Sequence, residues 1–163
     1  MRKIKIEIKW AILFTLMIMC WMYLEKWVGL HSTHIDQHLY YTNLFTIPAV
    51  VVMVLALKDK KKNFYASQMT YVQGLVSGVK LSIIIALLSP LTQWIISSLI
   101  TPEYFPNVIA HSVASGYYES EEAARAYFNL TNYMVQSTFF ALIMGGVTTA
   151  IAMIFIRSKN KEN

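Results

Sequence analysis

Three histidines, His31, His34 and His38, lie at spacings i, i+3 and i+7. On a helix they share one face, a spacing that can suit a metal such as zinc. Glu25 and Asp36 are near them in the chain, and His111 comes from a later connection. These residues form a candidate external cluster, His31, His34, His38 and His111. The ligand spacing is too loose to favour a bound ion, so no metal and no cofactor are expected. A second candidate is an outer polar pocket made by Glu25, Gln93 and Gln136. A carboxylate at the hydrocarbon edge is costly unless it finds a donor, and polar side chains in spans usually face the bundle. Glu25 is therefore expected to contact a polar group from another helix or loop. The sequence has no nucleotide-binding glycine loop, no Cys-x-x-Cys, no His-Glu-x-x-His and no nucleophile elbow. An enzyme is the less favoured class, and no catalytic residue is assigned.

These residues are carried by an apolar chain. Of its 163 residues 56% are hydrophobic and 14% charged. A soluble domain carries about 25% charged residues, so this much apolar surface calls for lipid as solvent. The net charge is +5, but the bases flank apolar runs instead of forming a stripe, and no nucleic-acid partner is expected. One cysteine, Cys20, precludes an intrachain disulfide. The basic start and apolar run at the N-terminus resemble a signal peptide. No small-x-small cleavage site follows, only Glu25-Lys26-Trp27, so the segment is read as a spanning helix.

A spanning helix needs about 20 mostly apolar residues. Four stretches qualify, at about 8–27, 39–57, 81–100 and 133–156. The predicted fold is all-α, a single domain of four transmembrane helices in a bundle. Pro48 and Pro90 fall inside spans, where a kink is expected at each. Eleven of the fourteen bases lie in the N-terminal segment, the 58–62 loop and the C-terminus. The other two connections hold only Lys26 and Arg125, with six of the nine acids. Both termini are therefore expected on the cytoplasmic side. Lys80 is expected to snorkel to that interface from an amphipathic lead-in at 69–79.

The connection from 101 to 132 is predicted to be a short external helical hairpin. Phe105, Val108, Ile109 and Val113 follow helical spacing, with Gly116 as a stop and Ser120 as an N-cap. Its second helix is expected to run on into the fourth span. Gly74-x-x-x-Gly78 and Ala141-x-x-x-Gly145, beside Gly146, predict helix-packing seams, within the bundle or between subunits.

Three stretches together resemble a known family: Glu25-Lys26-Trp27-Val28-Gly29-Leu30-His31, the loop Lys58-Asp59-Lys60-Lys61-Lys62 followed by Tyr71-Val72-Gln73-Gly74, and Thr101-Pro102-Glu103-Tyr104-Phe105. In that order they resemble the bacterial membrane proteins grouped as the domain of unknown function 4199 family, over nearly the whole chain. The resemblance implies a four-helix protein of the bacterial inner membrane and brings no activity, cofactor or catalytic residue. The functional expectation is a non-enzymatic accessory or assembly component. Its partners are the lipid bilayer and a protein partner or further copies of itself. The alternatives are an oligomeric transporter or channel using the outer polar pocket, and a metal-binding or enzymatic site at the histidines.

Overall fold

The computed structural model describes residues 4–158. Arg2, Lys3, Lys159 and Lys161, which enter the charge count above, lie outside them. The regular structure among the described residues is all helical, with no strand. In chain order the elements are α1 (Lys5–Trp27), α2 (Ile35–Tyr41), a 3-10 turn (Thr42–Phe45), α3 (Thr46–Asn63), α4 (Tyr71–Ile95) continued by a π turn (Ile96–Ile100), α5 (Tyr104–Ala114), α6 (Glu121–Tyr127) and α7 (Leu130–Ile156). Four of the helical stretches are long and apolar enough to cross a membrane. The second combines α2 and α3, the third is α4 with its π turn, and the fourth combines α6 and α7. Large apolar side chains such as Leu16, Leu55, Leu87, Ile151 and Phe155 point outward and are exposed. That is the surface a lipid solvent requires and water disfavours.

The helix ends follow from local chemistry. Thr70 and Gln73 form a reciprocal capping box at the start of α4. Ser120 caps α6 through its hydroxyl, as the sequence predicts. The run-on of α6 into the fourth span is interrupted. Phe128 leaves helical geometry, and Asn129 restarts the chain as the side-chain cap of α7. Pro48 falls in the first turn of α3, just after the 3-10 turn, where a missing N–H costs little. Pro90 lies within α4. The π turn follows it, and Thr101 closes that turn on the Ile96 carbonyl at 2.7 Å. Lys80 is exposed on α4, which is one continuous helix from Tyr71.

The most extensive packing joins α4 to α7. A Cβ at Gly74 would strike Met153, one at Gly78 would strike Thr149, and one at Gly145 would strike Ser82. The small residues therefore let two helix backbones approach closely. At Gly145 the Ser82 Cα is only 3.7 Å from the position a Cβ would take. Gly146 is off the seam, with nothing within 4 Å of its missing Cβ. Two buried clusters flank the seam. Ala11, Met53, Ala56, Leu81 and Ile85 tie α1 and α3 to α4. Leu57, Met69, Ala152, Met153 and Ile156 fill the end near the chain termini.

Gly145→Leu is expected to destabilise the bundle by about 1–3 kcal/mol through overpacking. Gly146→Leu is expected to stay within about 0.5 kcal/mol of wild type. Unfolding in mixed detergent measures both, and equal stability of the two variants would place the seam elsewhere.

Candidate functional site

The site begins with the way α1 ends. Val28 is its C-cap, and Gly29 adopts a φ of +83° that side chains rarely tolerate. The Gly29 N–H donates to the Lys26 carbonyl at 3.0 Å, and the Leu30 N–H donates to the Glu25 carbonyl at 2.9 Å. This pair of bonds is a Schellman turn whose third-last helical residue is Glu25. Leu30 is buried beneath the turn. The chain reverses at once, and the next residue, His31, folds back onto Glu25.

Glu25 is 1% exposed and His31 is fully buried. The Glu25 Oε2 lies 3.0 Å from His31 Nε2 and 3.4 Å from His38 Nε2. The other oxygen, Oε1, accepts from the Trp21 indole N–H at 2.5 Å, one helical turn back. The 31–38 segment is helical only from Ile35, so the two histidines do not meet by helical periodicity. The turn brings one and the start of α2 brings the other. Their Nε2 atoms converge on one carboxylate oxygen.

The hairpin roofs this cluster. The Tyr104 ring, on the first turn of α5, sits 5.1 Å from the His31 ring and 5.0 Å from the His38 ring, centroid to centroid. Burial pushes the Tyr104 phenol above its ordinary range, so it stays neutral. Its hydroxyl lies 3.2 Å from that of Tyr133 on α7. Asn107 donates its amide to the His31 carbonyl at 2.8 Å. Lys26 donates to the Ile100 carbonyl at 2.7 Å and pairs with Glu103 at 3.3 Å, placing a cation at the end of the third span. The site thus draws on α1, the turn after it, α2, α5 and α7.

The other sequence candidates take different places. His34 is exposed in the turn, and His111 faces Ser115, the C-cap of its own helix, 3.4 Å away. The Gln93 amide donates to Ser97 one turn further along its own stretch. Gln136 is exposed on α7. The side chains that hydrogen-bond Glu25 are therefore the indole of Trp21 and the imidazole of His31, with His38 Nε2 in contact at 3.4 Å short of hydrogen-bond geometry, and neither glutamine is among its hydrogen-bond partners.

A second polar cluster, at the terminal end, was not among the sequence candidates. Glu7 is 3% exposed and Lys60 is 3% exposed. Lys60 Nζ reaches Glu7 Oε1 at 2.8 Å, and Ser77 donates its hydroxyl to the same oxygen at 2.6 Å. Beside it, Lys9 pairs with Asp59, and the Trp10 indole donates to Asp59 at 2.6 Å. The signal was present in the sequence. Glu7 is the one acid within the basic segment 2–9, and Asp59 is the one acid within 58–62. The two segments exchange partners crosswise.

A model of one protein family, described as "Protein of unknown function (DUF4199)", matches residues 9–158. The chain belongs to that family. No curated protein and no solved structure matches it. The family match includes Glu25, His31, His38 and the hairpin, and begins two residues after Glu7.

Removing one partner of a buried ion pair leaves an uncompensated charge. Glu7→Ala is expected to cost about 3–5 kcal/mol. The double replacement Glu7→Leu with Lys60→Leu is expected to recover most of that loss. Thermal or detergent unfolding of the three proteins decides it, and a single variant as stable as wild type would remove the structural role of this pair.

Proposed function

We propose that this DUF4199 member is a non-enzymatic accessory or assembly component of the bacterial inner membrane, and that its working face is the hairpin end. The observation that carries this reading is the seat of Tyr104. The hairpin rests on the two imidazoles, and the imidazoles rest on Glu25. Whatever occupies or neutralises Glu25 therefore sets how the hairpin sits. The hairpin offers a protein partner the strongly exposed Tyr117 and the polar face of α6. On this reading the hairpin end is external and both termini are cytoplasmic, following the uneven distribution of bases between the two sides.

The interior between the two polar clusters supports a binding role over transport. Glu7 and Glu25 are eighteen residues apart on α1, or about 27 Å at 1.5 Å per residue. A cavity of about 270 Å³ lies between the helices at intermediate depth, lined by Phe14, Met53, Ile85, Phe140 and Met144 among others. The hydroxyls of Ser82, Ser89, Thr92 and Thr149 bond carbonyls one turn back in their own helices. They satisfy themselves locally and line no polar path between the ends.

Cysteine labelling tests both parts of the proposal. In a Cys20→Ala background, Ser32→Cys and Ser115→Cys are expected to react with an impermeant thiol reagent in intact cells, and Asn63→Cys is not. Ile109→Cys, at a position 4% exposed on α5, is expected to be protected and to become reactive when Glu25→Gln is added. Labelling at position 63 would reverse the orientation. Unchanged protection of Ile109→Cys would uncouple the hairpin from the site.

A further inference from the structure

We propose that Glu25, His31 and His38 form a three-ligand binding site for a divalent transition-metal ion, of which zinc suits the donors best. This deepens the reading of the hairpin end as a working face and rests on it.

Two imidazoles and one carboxylate are a ligand set that zinc uses when it keeps a fourth position open. The three donor atoms are Glu25 Oε2 and one ring nitrogen of each histidine, all within 4.8 Å of one another. A tetrahedral zinc with bonds of roughly 2.0–2.2 Å holds its ligand atoms about 3.3–3.6 Å apart. The two carboxylate-to-imidazole distances here are 3.0 and 3.4 Å.

Hydrogen bonding alone leaves this cluster unfinished. His38 Nε2 is buried and points at Glu25, yet it makes no hydrogen bond. His31 Nδ1 is also buried without a partner, and a cation at Nε2 leaves that atom as it is. A buried polar atom left unsatisfied costs about 1–3 kcal/mol. A cation between the three donors uses the His38 nitrogen lone pair directly and neutralises the carboxylate. The surroundings fit a metal ligand as well. The Trp21 indole holds Oε1 at 2.5 Å and so leaves Oε2 free to face the ion. Tyr104 covers both rings, which limits access of water. His34 and His111 lie outside the cluster.

The test uses the full chain with an affinity tag that contains no histidine, purified in mild detergent and stripped with a chelator. Zinc chloride is titrated against a chromophoric competitor. One equivalent per chain is expected. Glu25→Gln, His31→Ala and His38→Ala should each weaken binding by at least the roughly 10–100-fold that losing an outer-shell partner costs, while His34→Ala and His111→Ala should leave it unchanged. A truncated variant can fail by misfolding, so His38→Cys in a Cys20→Ala background supplies a second measurement. Loaded with cobalt(II), it is expected to hold one ion and to show a thiolate-to-cobalt charge-transfer band absent from the protein with His38. Wild-type protein without saturable zinc binding would overturn the site, as would binding unaffected by all three ligand variants or a His38→Cys protein without the band. If zinc fails to bind while Glu25→Gln still unmasks Ile109→Cys, the metal site falls and the working-face reading stands. If zinc binds and Ile109→Cys stays protected with Glu25→Gln, the reverse holds.

Discussion

A carboxylate on a membrane-spanning helix must find a partner, and α1 carries one at each end. Isolated in an apolar medium, such a charge is far too costly to persist. Glu7 and Glu25 therefore act as fixed points to which other elements are drawn. At the terminal end Glu7 collects Lys60 from the close of α3 and Ser77 from the second turn of α4. At the hairpin end Glu25 collects Trp21, His31 and His38. The apolar middle supplies adhesion, through the α4–α7 seam and the Ala11–Leu81 cluster, without much direction. Direction comes from the two carboxylates, because ion pairs and hydrogen bonds have geometry and apolar contacts have little.

The two ends differ in how fully they are satisfied. Both oxygens of Glu7 lie within reach of Lys60, and Ser77 adds a hydrogen bond to one of them. That end is built as a structural knot. At the hairpin end one carboxylate oxygen faces two imidazoles, and two buried ring nitrogens have no hydrogen-bond partner. Unfinished polar chemistry under an aromatic cover is what separates this end from its counterpart.

The sequence made the architecture legible because lipid imposes simple rules. Twenty apolar residues, flanking bases and small residues four apart are one-dimensional signals, and the structure has four helices long and apolar enough to cross a membrane, a close approach at Gly74, Gly78 and Gly145, and the Ser120 cap. The site was legible only in part. Glu25 needed a partner, but which one depended on a turn. Gly29 reverses the chain so tightly that His31 lands on Glu25, while helical periodicity would have grouped His34 with the other two. Gln93 found an acceptor in Ser97, so its need was met before it could reach across the bundle. The crossed pairing of Glu7 with Lys60 and of Lys9 with Asp59 depends on how α1 and α3 lie together. A lone acid in each basic segment hints at it, but only three dimensions pair them.

Glu25 and His31 hold each other and, through that bond, the hairpin end. A double-mutant cycle measures it directly. The unfolding free energies of wild type, Glu25→Gln, His31→Gln and the double variant are compared in one detergent mixture. The second substitution is expected to add little once the first is made, with a coupling on the order of 0.5–3 kcal/mol. Additive losses, with no coupling beyond about 0.3–0.5 kcal/mol, would show that the two side chains do not depend on each other and that Glu25 does not hold the hairpin end through His31.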